Sequence, residues 1–174
     1  MLRGFYECIK TGNKEVFEYL YSQGMDIRIN EIQNKEKKHP LIFALEHGQY
    51  DIAKFLLDKF QANINCRSHF KTPLHIAVER KDYELAKYLL EKGSDQNRYL
   101  PMMTTPIHIA CQQRPQIDEE MVKLLLKYNA DPTLWDSKKK TAIDYAHENS
   151  ENGQDILEIL PKEEELGEHD RIQN

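Results

Sequence analysis

The chain contains a hexapeptide that returns at a fixed interval. Residues 72–77 have the sequence TPLHIA, and residues 105–110, 33 positions later, have TPIHIA. A partial copy, HPLIFA, lies 33 residues upstream at 39–44, and another, TAIDYA, lies 36 residues downstream at 141–146. A period near 33 residues is typical of stacked helix pairs, which bury their apolar faces mainly on one another and leave a long surface open to a partner.

A second pattern follows each hexapeptide in register. Residues 52–57, 85–90 and 121–126 read IAKFLL, LAKYLL and MVKLLL, and residues 16–21 read VFEYLY. Apolar residues at i, i+1, i+4 and i+5 predict a helix with one broad buried face. The Thr-Pro of the hexapeptide predicts a helix start, because the hydroxyl caps backbone N–H groups and Pro suits the first helical position. Each unit should therefore contain a short first helix, a tight turn and a longer second helix.

Small or left-handed residues mark the ends of the second helices. Gly24, Gly93 and Asn129 occupy equivalent places where a residue with positive φ ends a helix. Phe60 stands in that place in one unit, so we expect the stretch 61–65 to shift by one residue. The residues that follow predict extended, hairpin-like fingers between successive units.

These residues carry a family resemblance. The two full copies of Thr-Pro-hydrophobic-His-x-Ala make the sequence similar to ankyrin-repeat proteins, although His39 replaces the usual Thr, and Lys81 and Arg114 replace the usual Gly. The resemblance implies an all-α ankyrin-repeat solenoid of about five helix-turn-helix repeats with hairpin-like fingers. We place these repeats at about 2–33, 34–66, 67–99, 100–135 and 136–160. They form one predicted domain over 1–160, followed by a charged, disordered tail over 161–174.

Composition narrows the classes of partner and the compartment. The 24 basic and 29 acidic side chains give a formal charge of −5, which argues against nucleic acid as the main partner. No apolar run approaches the length of a membrane span. Three widely spaced cysteines and the absence of an apolar leader favour a cytoplasmic protein with reduced thiols. The Lys, Asn, Ile and Tyr bias suggests an AT-rich genome, and thus an effector delivered into a host cell cytosol as the alternative.

The resemblance also implies where a protein partner binds. In the family, fingers and first helices line a concave groove. No cofactor or metal is expected, and the free protein should be monomeric. The groove positions in this chain are Ser68, His69, Lys71, Glu79, Arg80, Tyr99, Pro101, Met102, Thr104, Gln112, Gln113, Trp135, Lys138 and Lys140. The hexapeptide residues Thr72, Pro73, His75, Thr105, Pro106 and His108 are instead implied to be structural.

The stretch 99–103, Tyr-Leu-Pro-Met-Met, is unusually apolar for the tip of a finger. An apolar tip surrounded by water indicates an interaction site, and Trp135, the only tryptophan, is the equivalent of Tyr99 one repeat later. Tyr, Trp and Met are well suited to binding hot spots. Two alternatives remain open: Leu100 folds inward under the finger, or Met103 packs on the neighbouring finger.

Charged residues beside this stretch have two interpretations. Lys138 and Lys140 belong to a basic run that would steer an acidic partner, with Glu79 and Arg80 setting orientation. The alternative interpretation is a solvated fingertip, since the run contains only three lysines.

No arrangement of residues in the sequence favours catalysis. Cys111 follows His108 by three residues, and a Cys–His pair can form a thiolate nucleophile, yet both positions belong to the repeat pattern. The seven histidines have no metal-ligand spacing, and no Gly-rich phosphate loop occurs. We therefore predict a non-enzymatic protein–protein interaction module that acts as an adaptor, inhibitor or effector. The alternatives are a scaffold that self-associates through 99–103 and the recognition arm of a larger machine.

Overall fold

The computed structural model describes residues 2–24, 28–68, 71–149 and 151–161, with backbone alone at Leu2 and Arg3. The chain divides into two compact units, the first ending at Asp95 and the second beginning at Gln96. The first unit contains α1 (Leu2–Thr11), α2 (Lys14–Ser22), α3 (Pro40–Glu46), α4 (Tyr50–Asp58), α5 (Pro73–Glu79) and α6 (Tyr83–Glu91). The second contains α7 (Pro106–Cys111), α8 (Glu119–Lys127), α9 (Ala142–His147) and α10 (Gly153–Ile159). The prediction of one domain over 1–160 stays a prediction.

The helices pack as repeats within each unit. In the first unit α1 lies against α3 and α3 against α5, while α2 lies against α4. In the second unit α7 packs on α9, and α8 packs on α10. First helices therefore contact first helices and second contact second, which is how a stack of helix pairs buries its apolar faces. Together with the ten described helices, this confirms the predicted all-α repeat fold.

The hexapeptides begin the first helices as predicted. Pro40, Pro73 and Pro106 each occupy the first turn, directly after His39, Thr72 and Thr105 in extended backbone. Two second helices also begin at a cap that the sequence patterns did not predict. Asp82 accepts a hydrogen bond from the N–H of Leu85, and Asp118 accepts one from that of Met121. Such a cap stabilises a helix by about 1 kcal/mol.

Left-handed residues end the second helices. Gly24, Gly93 and Asn129 have φ of 65°, 86° and 62°. In the remaining repeat Gln61, and not Phe60, has the positive φ, at 52°, so the predicted shift by one residue is confirmed. Lys81 turns its helix pair with φ of 54° where Gly48 has 71° in the preceding repeat.

The apolar pattern of each repeat lies in the interior. Leu41, Ile42 and Leu45 of α3 are buried, as are Leu85, Ala86 and Leu89 of α6. Burying a Leu or Ile side chain contributes roughly 1.5–3 kcal/mol, so each first and second helix is stabilised by its neighbours.

The fingers are closed by turns. Among the described residues the only ladder pairing outside helices is an isolated bridge between Ser68 and Lys71. The last finger closes through the N–H of Asp136 on the carbonyl of Lys140 at 2.9 Å. Of the tail predicted at 161–174, only Pro161 lies within the described residues.

Candidate functional site

The hexapeptide histidine of the second unit holds two repeats together. His108 is fully buried, and its Nε2 lies 3.1 Å from the carbonyl oxygen of Lys140 in the next finger. Because a carbonyl only accepts, Nε2 carries the proton, and Nδ1 accepts from the hydroxyl of Thr105 at 2.8 Å and its N–H at 3.3 Å. Burial lowers the pKa of His108, so the ring is neutral at pH 7.

The same pair occurs in the first unit. Thr72 Oγ1 lies 2.7 Å from His75 Nδ1, and both residues are buried. Pro73 and Pro106, in the first turn of α5 and α7, are buried as well. All six hexapeptide residues that the resemblance implied to be structural therefore lie in the interior, where they are inaccessible to a partner.

The groove positions predicted in the first unit already have partners within the fold, in the same repeat or in the preceding one. Ser68 is buried, and its hydroxyl accepts the N–H of His39 at 2.9 Å. Lys71 pairs with Glu79 at 2.6 Å. The guanidinium of Arg80 donates to the carbonyl oxygens of Leu45 and Glu46, at 2.5 and 2.9 Å, at the end of α3. Arg80 thus acts as a helix cap in this structure. His69 lies outside the described residues.

Two finger tips of the second unit expose apolar side chains. Met102 is 58% exposed, Met103 42% and Trp135 50%. Six large apolar side chains are exposed among the described residues, and three of them are these. We call Pro101, which is also exposed, together with Met102, Met103 and Trp135 the tip patch.

The other predicted positions of the second unit are more enclosed. Tyr99 and Thr104 are half-buried, as are Gln112 and Gln113 at the end of α7. Partial burial, with Asp131 nearby, raises the pKa of Tyr99. The structure therefore places Met102 and Trp135 in solvent and withdraws part of Tyr99 from it.

A backbone hydrogen bond connects the two tips. The N–H of Ser137 donates to the carbonyl oxygen of Met102 at 2.9 Å. Met103 has φ of 54°, so it occupies the left-handed position for which Gly is suited. Leu100, which one alternative folds inward under the finger, is only half-buried. Met103, which the other alternative packs on the neighbouring finger, is exposed. The connected tips hold the tip patch in a defined place.

Asp136 organises the second of these tips, and sequence reasoning missed it. Its Oδ1 accepts the N–H groups of Lys138 and Lys140, at 2.8 and 3.0 Å, and its Oδ2 accepts the hydroxyl of Tyr145 at 2.6 Å. Burial by itself would raise the pKa of the Asp136 carboxyl, but these hydrogen bonds outweigh it and hold the pKa below its usual range. Asp136 directly follows Trp135, so it fixes the backbone that presents the indole.

Buried asparagines hold the long turn between α7 and α8. Asn152 accepts the N–H of Ile117 at 2.9 Å and donates to its carbonyl at 2.8 Å. Asn149 donates to the carbonyl oxygens of Gln113 and Pro115. Because these partners lie about one repeat away in sequence, the only sequence signal for the hydrogen bonds was a polar residue inside an apolar pattern.

Two lysines of the last finger differ in their surroundings. Lys138 is exposed, whereas Lys140 is half-buried, pairs with Glu148, and lies 5.4 Å from the ring centroid of Tyr145. The Lys140 ammonium is thus held inside its own repeat, and Lys138 faces solvent.

The thiols that a nucleophilic reaction would need are buried at Cys111 and Cys66. Cys111 is fully buried, and burial raises its pKa to about 12, which disfavours the thiolate at pH 7. Burial likewise raises the pKa of Cys66 to about 12. In the described ranges no cluster of His, Cys, Asp and Glu has the make-up of a metal site.

None of the described helices combines the length and apolar character that crossing a bilayer requires.

Comparison with known proteins identifies the family. The family model described as ankyrin repeats (3 copies) matches residues 5–99 and again residues 74–170. A search of curated proteins finds no matching sequence. Ankyrin repeats are protein–protein interaction modules. The two matches together cover nearly the whole chain and agree with the stacked helix pairs and the Thr–His contacts, and the chain belongs to the ankyrin-repeat family.

Proposed function

We propose that this chain is a non-enzymatic adaptor or inhibitor that binds a protein partner through the tip patch of its second unit. The observation that carries the proposal is the exposure of Met102, Met103 and Trp135 on two tips that are hydrogen-bonded to each other. Exposed apolar patches on a soluble protein mark interaction sites. Trp is enriched at hot spots, where truncation costs about 2–4 kcal/mol, and Met adapts to irregular surfaces.

Rigid support makes the patch suitable for recognition. Asp136 fixes the backbone beside Trp135 through three hydrogen bonds, and the Ser137–Met102 bond connects the tips. A surface that is ordered before binding loses less conformational entropy when the partner docks. The half-buried Tyr99, Thr104, Gln112 and Gln113 are the flanking part of this proposed surface.

The non-enzymatic part of the proposal has separate support. The thiol and the imidazole that a nucleophilic site would need are both buried, with Cys111 and His108 fully shielded from solvent. The His108 ring bonds to Thr105 and to the backbone of Lys140. These groups stabilise the fold and do not meet a substrate. We keep the cytoplasm as the proposed location.

The test compares a double variant of the tip patch with a single variant of an exposed tyrosine on α2. Immobilised wild-type chain captures the partner, which is then purified and titrated by calorimetry. Met102→Ala with Trp135→Ala should weaken binding by about tenfold or more and leave the melting temperature nearly unchanged, because both side chains are in solvent. Tyr19→Ala, at a residue that is 63% exposed on α2, is the matched control and should bind as wild type does.

Two results would contradict the proposal. Equal binding by the tip variant and the Tyr19 control would show that the partner docks elsewhere. A mass that rises with concentration in light scattering, and falls back in the tip variant, would favour the alternative in which the patch pairs with a second copy.

A further inference from the structure

The charges around the tip patch indicate what kind of partner it takes. Arg98 precedes the first tip, and Lys138 and Lys139 form the second. All three side chains are exposed, and none of them forms an ion pair with any other residue that the structure describes. We call Arg98, Lys138 and Lys139 the tip cations.

The carboxylates of the same finger are turned to internal donors. Asp136 accepts two backbone N–H groups and the Tyr145 hydroxyl. Asp131 accepts the N–H and the hydroxyl of Thr133, at 2.9 and 2.6 Å. Asp136 is buried and Asp131 is half-buried, so the charged side chains that this finger exposes to solvent are the basic Lys138 and Lys139.

This local balance is opposite to that of the whole chain. The sequence carries a formal charge of −5, yet the two tips present cations beside exposed Met and Trp side chains. Long-range repulsion by an acidic chain opposes the approach of a nucleic acid, whose binding depends on a strong positive field. Met102 and Met103 also lack the flat face on which a base stacks. The combination fits a protein segment with both apolar and acidic side chains.

Building on the proposed function, we propose that the partner of the tip patch is an acidic protein segment whose apolar side chains contact Met102, Met103 and Trp135. Its carboxylates pair with the tip cations. The apolar contacts supply most of the affinity, and the ion pairs orient the segment and raise the association rate. Exposed ion pairs are screened by salt, so binding should weaken as salt increases.

Trp135 allows a site-specific test, because it is the only tryptophan in the chain. The probe is a short synthetic peptide in which Glu surrounds Leu and Phe. One comparison peptide has Lys in place of Glu, and a second has Ser in place of Leu and Phe. We expect only the first peptide to bind tightly and to shift the Trp135 emission to shorter wavelength, since binding removes the indole from water.

Charge reversal on the protein completes the test. Lys138→Glu with Lys139→Glu should weaken the acidic peptide by about tenfold or more. The matched control is Lys35→Glu with Lys37→Glu, at the exposed tip of another finger. Lys37 and Lys139 both have positive φ, 56° and 57°, so the two double variants make the same charge change and each alters one left-handed position. The control should bind as wild type does, and circular dichroism checks that both fold.

Several outcomes would overturn the inference. They are equal loss in the two double variants, equal binding of the Lys peptide, and tighter binding of a single-stranded oligonucleotide. If the captured protein partner depends on Met102 and Trp135 but is indifferent to reversal of Lys138 and Lys139, the proposed function stands and the acidic character of the partner is wrong. If neither change affects that partner, the proposed function itself fails.

Discussion

At the scale of the residue, Asp136 shows how one buried carboxylate supports an exposed surface. It is surrounded by donors from its own tip and from Tyr145 of α9, so it connects the finger to the next first helix. Burial, followed by the hydrogen bond and charge of Asp136, raises the pKa of Tyr145 to about 12. The hydroxyl and the carboxylate are thus stable together only while the tyrosine is protonated.

Tyr145→Phe should cost about 2 kcal/mol of unfolding free energy at pH 7, because a hydrogen bond to a buried carboxylate is lost. The native pKa of Tyr145 lies above its unfolded value near 10, so its contribution is complete below about pH 10 and is lost as the pH rises toward 12. Urea unfolding at pH 7 and near pH 11 measures both effects. The difference between wild type and variant should shrink at the higher pH; a difference that stays constant would contradict this account.

Acid acts on the same pair in the opposite sense. The pKa of the Asp136 carboxyl is held below its ordinary value, so its stabilisation is present above about pH 4 and is lost as the pH falls through the native pKa.

At the scale of the element, the tip of residues 100–104 differs from the other two tips with the same closure. Asn34 accepts the N–H groups of Glu36 and Lys38, and Asp136 accepts those of Lys138 and Lys140. Leu100 stands in the equivalent place, and its side chain has no acceptor for the N–H groups of Met102 and Thr104. Met103 has a positive φ, as Lys37 and Lys139 do at the equivalent places. This tip therefore differs from the other two in lacking a side-chain acceptor, and it exposes apolar side chains.

Leu100→Asn with Met103→Gly should therefore raise the unfolding free energy by about 1 kcal/mol. The amide supplies a cap like that of Asn34, and Gly relieves the left-handed backbone. Thermal unfolding measures the gain, and partner titration should show weaker binding because an exposed Met is removed. The reference is Asn34→Ala, which deletes an existing cap and should lose about 1 kcal/mol. A destabilised double variant would show that Leu100 supports the tip by packing.

At the scale of the whole molecule, the burial of the apolar pattern extends to the thiols. Cys66 and Cys111 are buried, while Cys8 on α1 is half-buried. A disulfide reagent, which is attacked by thiolates, therefore has one accessible target in the folded protein and three in the unfolded chain.

An aromatic disulfide reagent should modify Cys8 rapidly at pH 8 and reach Cys66 and Cys111 only with denaturant, since burial raises the pKa of both to about 12. Cys8→Ser should abolish the rapid phase. Rapid reaction of all three thiols in the native protein would contradict the packing of the repeats.

Much of the repeat architecture followed from short-range rules. Pro73 and Pro106 begin their helices where the hexapeptide predicts, and Gln61 adopts the left-handed backbone in place of Phe60. The candidate site was predicted in part: Met102 and Trp135 are exposed, whereas Ser68 is buried and Arg80 caps α3. The predicted groove positions follow from the register of the repeats, and register does not show whether a side chain already has a partner within the fold.

The sequence alone determined the period, the helix starts and the buried faces, because these depend on residues within one or two helical turns. The tertiary structure decided which polar groups are available to a partner. Asp136, Asn152 and Arg80 have their partners up to about one repeat away, and only folding brings those donors and acceptors within hydrogen-bonding distance. Met102, Trp135 and the tip cations are among the side chains that still face the solvent once these polar groups are satisfied internally.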